Sequence, residues 1–272
     1  MAAKAKPLIT EEQMARAADA LMSGLPKSAI LARYVAAGGD EIGSGNFASP
    51  ESSAALVANA FGFFIDRPAD LPAIPDWKGA WCPHSVLPEV ELRFPWSGGM
   101  HPWLDVVIET DDVLIGVEAK RYEPFRPHST NEAPFSTAYK RPVWGDQMGP
   151  YLRMRDELSE HPQLFARLNA VQLVKHAFGL YTQAHRGGTN KKPVLAYVYA
   201  EPKICPPSVT KAITEEDRKH HAKEVREFQA AVTDADVCFM TFTYSDLLAT
   251  FEQSAVSAVR EHGRAMRERF DC

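Results

Sequence analysis

The sequence predicts an α/β fold, a mixed sheet flanked by helices, and three features lead to it. Two β-prone runs, residues 103–109 and 113–122, meet at Asp111 and Asp112 and read as a hairpin. A run just before them, VELRFPW (residues 90–96), turns through SGGMHP and extends the hairpin to a three-stranded antiparallel meander. Helical periodicity stands on both sides of the meander, and the β-prone runs PVLAYVYAEP and VCFMTFTY return only after long helical stretches.

At 272 residues the chain has room for one large domain or two small ones. Apolar residues make up 45% and charged residues 24%, the proportions of a soluble globular protein. The opening MAAKAKPLITEEQ lacks the apolar centre of a signal peptide, and no run reaches transmembrane length. Cys82, Cys205, Cys238 and Cys272 are scattered without a CxxC, which suggests neither zinc nor an iron–sulfur cluster and fits a reduced, cytoplasmic setting. The net charge of −5 counts against simple nonspecific binding of polyanions. Residues 118–155, however, hold seven basic against four acidic side chains, a locally basic stretch compatible with a phosphodiester substrate. We expect a helical extension over residues 1–48, packed on a main domain over residues 49–272.

Residues 8–37 read as two helices: Thr10 and Gln13 form a capping box for the first, and the second covers residues 28–37. GGDEIGSGN is a turn-rich loop. Ser49, Pro50 and Glu51 look like a helix start, with Ser49 as N-cap and Glu51 in the first turn, before Leu56, Val57, Ala60, Phe61 and Phe64 at helical spacing. Residues 66–88 form a packed loop, and residues 123–143, with four Pro, an irregular segment whose Arg126, His128, Lys140 and Arg141 are candidates for substrate contact. A helix begins near Gly145, and another spans QLFARLNAVQLVKHAFGLYTQAHR with Leu164, Leu168, Val171, Leu173, Val174 and Phe178 on its apolar face. EEDRKHHAKEVREFQAAV is an amphipathic helix on which the adjacent His220 and His221 point apart. A last helix runs through SDLLATFEQSAVSAVREHGRAMRER.

The hairpin carries the chemistry. Pairing Thr110 with Val113 makes the numbers of cross-strand partners sum to 223, so Asp105 stands opposite Glu118. Alternation assigns Leu104, Val106, Ile108, Val113, Ile115, Val117 and Ala119 to one face, expected to be core. It assigns Asp105, Glu118 and Lys120 to the other, expected to be a polar site. Carboxylates facing each other lie about 5 Å apart at Cβ and repel. A raised pKa on one acid, an ion pair to Lys120 or a nearby Arg, or a hard cation would offset that repulsion. Mg²⁺ suits best, since it takes one or two carboxylates together with waters and phosphate oxygens. Lys120 is then placed to orient or deprotonate a water and to stabilise charge developing on a phosphate.

Asp105, twelve residues, then Glu118, Ala119 and Lys120, with Pro102 upstream, resembles the signature of the PD-(D/E)XK nuclease superfamily, which contains many restriction endonucleases. The literal PD pair is not kept, because Trp103 and Leu104 separate Pro102 from Asp105. The resemblance implies the restriction-endonuclease-like αβββαβ core, with Asp105 and Glu118 binding Mg²⁺ (or Mn²⁺), Ala119 offering its carbonyl and Lys120 catalytic. Many such nucleases place a further acidic metal ligand on a helix before the sheet, here Glu51. ESSAALVANAFGFF is also similar to the opening helix of bacterial restriction-endonuclease-like proteins, which brings Ser53 and Asn59 forward, although capping and packing explain them equally. Gln147 and Tyr151 match the QxxxY of RecB-like members, which implies that they line the site or touch DNA, with Arg153 and Arg121 as further substrate contacts.

The expectation is therefore a metal-dependent DNA phosphodiesterase of the restriction endonuclease type. The alternatives are a RecB-like exonuclease or repair nuclease, and a nuclease-like DNA-binding protein without catalysis. DNA is the expected partner and no membrane is; because cutters of palindromic sites are often dimers, a homodimer is among the assemblies the resemblance allows.

Overall fold

Five strands build the centre of the protein: β1 (Ser85–Glu91), β2 (Trp103–Glu109), β3 (Val113–Lys120), β4 (Lys192–Tyr199) and β5 (Cys238–Thr243). They form one open sheet in the order β1-β2-β3-β4-β5. The first three make an antiparallel meander, and β3, β4 and β5 run parallel. This computed structural model describes residues 8–37, 39–96, 98–126, 133–185, 191–203 and 212–271; His128, Cys205 and Cys272 lie outside them.

Helices cover both faces. Helices α1 (Glu11–Ala20), α2 (Lys27–Ala36), α3 (Ser53–Gly62), α7 (Tyr244–Glu252) and α8 (Ser257–Phe270) pack with Val106, Ile108, Ile115 and Val117 in one core. Helices α4 (Gly149–Glu160), α5 (Ala170–His185) and α6 (Glu215–Ala231) pack with Val107, Leu114, Leu195 and Tyr197 in the other. The buried residues of α1 and α2 belong to the same core as the sheet. β3 is consequently buried from Val113 to Ala119, since a strand with helices on both faces has no wet side. This corrects the expectation of one apolar and one polar face. Both faces are core, and the polar site is confined to one end of the hairpin.

The expected register holds where the ladder is regular: Val106, Val107, Ile108 and Glu109 oppose Val117, Gly116, Ile115 and Leu114. Leu104 departs from it, packing in the second core rather than beside Val106. The cause is a skipped rung. Pro88 pairs with Val106 and Val90 with Leu104, but Glu89 and Asp105 do not pair, and Glu89 takes a left-handed φ of 52°. Alternation reverses across that break, as at a β-bulge. Leu104 then fills the space over Gly116, where a Cβ would run into it and stand 2.9 Å from Leu180.

Local signals set most of the helix ends. Thr10 and Gln13 make the expected capping box. Helix α3 starts later than expected, because Ser52 rather than Ser49 accepts the capping bond, from the Ala55 amide at 3.0 Å. β1 runs from Ser85 to Glu91, so it starts inside the expected 66–88 loop and keeps only Val90 and Glu91 of the VELRFPW run. Helix α5 begins only at Ala170, where Asn169 Oδ1 accepts from the Gln172 amide at 3.1 Å, so Leu164 is left 41% exposed in the preceding turn. The last helical run is broken between α7 and α8. His220 and His221 do point apart: His221 is fully buried against Tyr197, and His220 meets Glu224.

Candidate functional site

The end of the β2–β3 hairpin brings Asp105, Glu118 and Lys120 together. Past Val106 the ladder to β3 stops, and the Asp105 carboxylate continues it by accepting the Ala119 amide at 2.7 Å. Glu118 is 1% exposed, and Lys120 Nζ ion-pairs with its Oε1. The other carboxylate oxygen, Oε2, lies 3.2 Å from Nδ1 of His176 on α5, also buried. That contact lacks the alignment of a hydrogen bond, so both atoms remain buried polar atoms without a hydrogen-bond partner.

Charge is distributed unequally over the pair. Burial alone would raise the Glu118 carboxyl, but Lys120 and His176 overcome it and hold Glu118 down to about 2. Asp105 goes the other way: desolvation, then Glu118 and Glu89, push it well above the usual carboxylate range against the pull of Lys120 and the Ala119 amide. Burial would lower the Lys120 ammonium, yet Glu118, Asp105 and Glu123 outweigh that and hold it above its ordinary value. The site near neutrality is thus an ionised Glu118–Lys120 pair beside a carboxyl that keeps its proton more readily than a free aspartate.

Asp105 and His176 line a cleft of about 710 Å³, with Glu41, Glu89, Trp103 and Lys175 among its other walls. Glu41, on the loop after α2, is half-buried; desolvation and then Glu123 raise its pKa, while Lys120 lowers it. Glu123 accepts from the Arg121 and Tyr122 amides, both at 3.0 Å, and from Ser53 Oγ at 2.9 Å. The sequence reasoning missed His176, Glu41 and Glu89. His176 had a readable signal: it shares a helical face with Leu173, Ala177 and Leu180, and a titratable group on such a stripe needs a buried partner.

Other expected site residues lie elsewhere. Glu51 precedes α3 and ion-pairs with Arg126, and it is not among the residues that line the cleft. Arg121 is 7% exposed and donates to the backbone carbonyls of Pro50 and Phe270, so its guanidinium clasps α3's approach to α8. Gln147 and Tyr151 do not share a helical face. Gln147 sits exposed in the 3₁₀ turn Asp146–Met148, whereas Tyr151 is fully buried against Phe228 with its hydroxyl lacking a hydrogen-bond partner. Pro150 and Gly149 start α4 after Gln147, which breaks the spacing of four that a continuous helix would have given. Arg153 is exposed on α4. Asn59 is buried as a structural clamp, accepting from the Met22 amide and donating to the carbonyls of Ala20 and Ala55. His101 lines the cleft while accepting from the Phe94 amide at 3.2 Å.

Among the described residues no group of three or more His, Cys, Asp or Glu side chains is arranged to hold a metal ion. Asp105 and Glu118 remain the two carboxylates that a hard cation with waters needs, and the orphaned Oε2 of Glu118 is a donor of the right chemistry. No helix among the described residues is long and apolar enough to cross a membrane. Comparison with protein-family models, curated proteins and solved structures finds no match to the chain in any of the three.

Proposed function

We propose that the protein is a metal-dependent phosphodiesterase acting on DNA, built on a restriction-endonuclease-like αβββαβ core to which β5 is added. One observation carries the reading: Asp105, Glu118 and Lys120, separated in sequence as in the PD-(D/E)XK signature, meet at one end of an antiparallel hairpin, where Asp105 accepts the Ala119 amide and Lys120 ion-pairs with Glu118. Asp105 and Glu118 would hold Mg²⁺ or Mn²⁺, which when bound supplies Lewis-acid polarisation and a more acidic water. Lys120 neutralises charge that develops on the phosphate and orients the attacking water; His176 fixes the Glu118 carboxylate from the side opposite Lys120.

With Gln147 exposed in a 3₁₀ turn and Tyr151 buried in α4, the QxxxY pair lends the RecB-like exonuclease less support than the hairpin residues lend the endonuclease. The second reading is a nuclease-like DNA-binding protein without catalysis, favoured by the burial of Glu118, whose Oε1 is ion-paired with Lys120 and whose Oε2 lies 3.2 Å from His176 Nδ1.

The test is cleavage of circular and linear plasmid DNA with Mg²⁺ or Mn²⁺, beside EDTA and Lys120→Ala controls whose folding is checked by circular dichroism. Metal-dependent cutting that disappears in the folded Lys120→Ala protein supports the phosphodiesterase, and discrete bands from circles identify an endonuclease. No cutting with either metal, together with no calorimetric heat of metal binding, selects the inactive DNA-binding protein.

A further inference from the structure

Lys175 stands next to His176 on α5, half-buried in the wall of the cleft that holds Asp105. Its Nζ lies 5.6 Å from the centroid of the Phe135 ring and 5.8 Å from that of Tyr139. Among the described residues it makes no ion pair, so two aromatic faces are its whole compensation for lost water. Burial already lowers its pKa, the mark of an ammonium short of counter-charge. Half-desolvated cations without a carboxylate partner are favourable sites for an incoming anion, since part of the dehydration cost is already met in the fold. Trp103, half-buried, and Met100, 94% exposed, add an apolar surface to the same cleft.

We propose that Lys175 binds a backbone phosphate of an unpaired nucleic-acid strand, whose neighbouring base lies against the Trp103 and Met100 side of the cleft. The choice of a phosphodiester as the anion rests on the phosphodiesterase reading. The choice of an unpaired strand rests on size and lining. At about 710 Å³ the cleft is of small-molecule dimensions, roughly 300–1,000 Å³, which admits a nucleotide or two and not a duplex. Aromatic and apolar walls beside a cation are the means by which single strands are held without sequence preference.

The experiment is fluorescence anisotropy of a labelled short oligothymidylate and of a duplex of equal length, in EDTA, between about 50 and 200 mM salt. Wild-type protein is expected to bind the single strand more tightly than the duplex. Lys175→Met, which keeps the stem over Phe135 and Tyr139, is expected to bind the single strand about tenfold more weakly. Its log–log salt slope should be shallower by about 0.7, the contribution of one phosphate on a single strand. Lys175→Gln repeats the measurement in a side chain that packs differently, and thermal melts establish that each variant is folded. Wild-type affinity and slope in both variants, or tighter binding of duplex than of single strand, overturns the proposal. Because EDTA removes the metal requirement, failure of plasmid cleavage leaves this result unaffected, and loss of the Lys175 effect leaves the cleavage result unaffected.

Discussion

His176 Nδ1 stands 3.2 Å from Glu118 Oε2, and the contact joins α5 to the acidic end of the hairpin across the second core. With Lys120 on Oε1, it holds Glu118 down to about 2, which fixes a sign for stability against pH. A carboxyl whose folded pKa lies below its unfolded value of 4.5 contributes stability that is full above 4.5 and is lost as pH falls towards 2. Replacing His176 by Leu is expected to cost about 1–3 kcal/mol at neutral pH, by leaving Glu118 Oε2 without a polar neighbour. The same change should move the acid edge of the stability curve to higher pH. Urea denaturation across acidic to neutral pH measures both.

Asp105 has the opposite sign. Its folded pKa is raised, so the fold loses stability from this group as pH rises from the ordinary value of 3.8 through the raised one. Asp105→Asn removes that loss and keeps an oxygen to accept the Ala119 amide. The variant is expected to melt higher than wild type at neutral pH, by roughly 2–4 °C for each ~1 kcal/mol recovered, and to lose metal-dependent cleavage. A melt unchanged between the two proteins would show that the acids do not repel in the fold.

Breaking the buried pair from one side is the costly change. Lys120→Met strands an ionised Glu118 whose side chain is 2% exposed, and a loss of about 3–5 kcal/mol is expected. Adding Glu118→Gln should recover most of it, since replacing both partners leaves no unpaired buried charge. A double-mutant cycle by urea denaturation reads the coupling, and additive losses would contradict it.

Two residues that the sequence placed at the substrate are expected to behave as framework. Arg121→Met should lower the melting temperature, because the Pro50 and Phe270 carbonyls lose their donor, without changing the salt dependence of DNA binding. Tyr151→Phe removes a buried hydroxyl that makes no hydrogen bond and should be neutral or stabilising, with cleavage unaltered. A steep loss of DNA affinity in either folded variant would restore the substrate role.

What the sequence made legible is what depends on short-range pattern. The hairpin register followed from two β-prone runs meeting at Asp111 and Asp112, and the pairing of Val106 with Val117 agrees with it. The capping box at Thr10 and Gln13 is equally local. Leu104 was misplaced because alternation carries no sign of a skipped rung, and that break depends on Glu89 in a strand whose start the sequence set too late. The shared face expected of Gln147 and Tyr151 fails for a similar reason: spacing in sequence does not carry over to spacing on one helix, because Gln147 lies in a 3₁₀ turn ahead of α4 and Tyr151 lies within α4. Glu41 and Glu89 come to the cleft only through tertiary packing, and no local pattern marks them.

The clasp made by Arg121 reaches Phe270, 149 residues further along the chain, from the position directly after Lys120. Long-range closure of this kind is slow to form. The strand that presents Glu118 and Lys120 is therefore expected to be pinned late in folding, after α8 has docked. A nascent chain still short of residue 270 would carry all three hairpin residues in sequence and yet lack the anchored geometry. Synthesis itself would then act as a delay on assembly of the site.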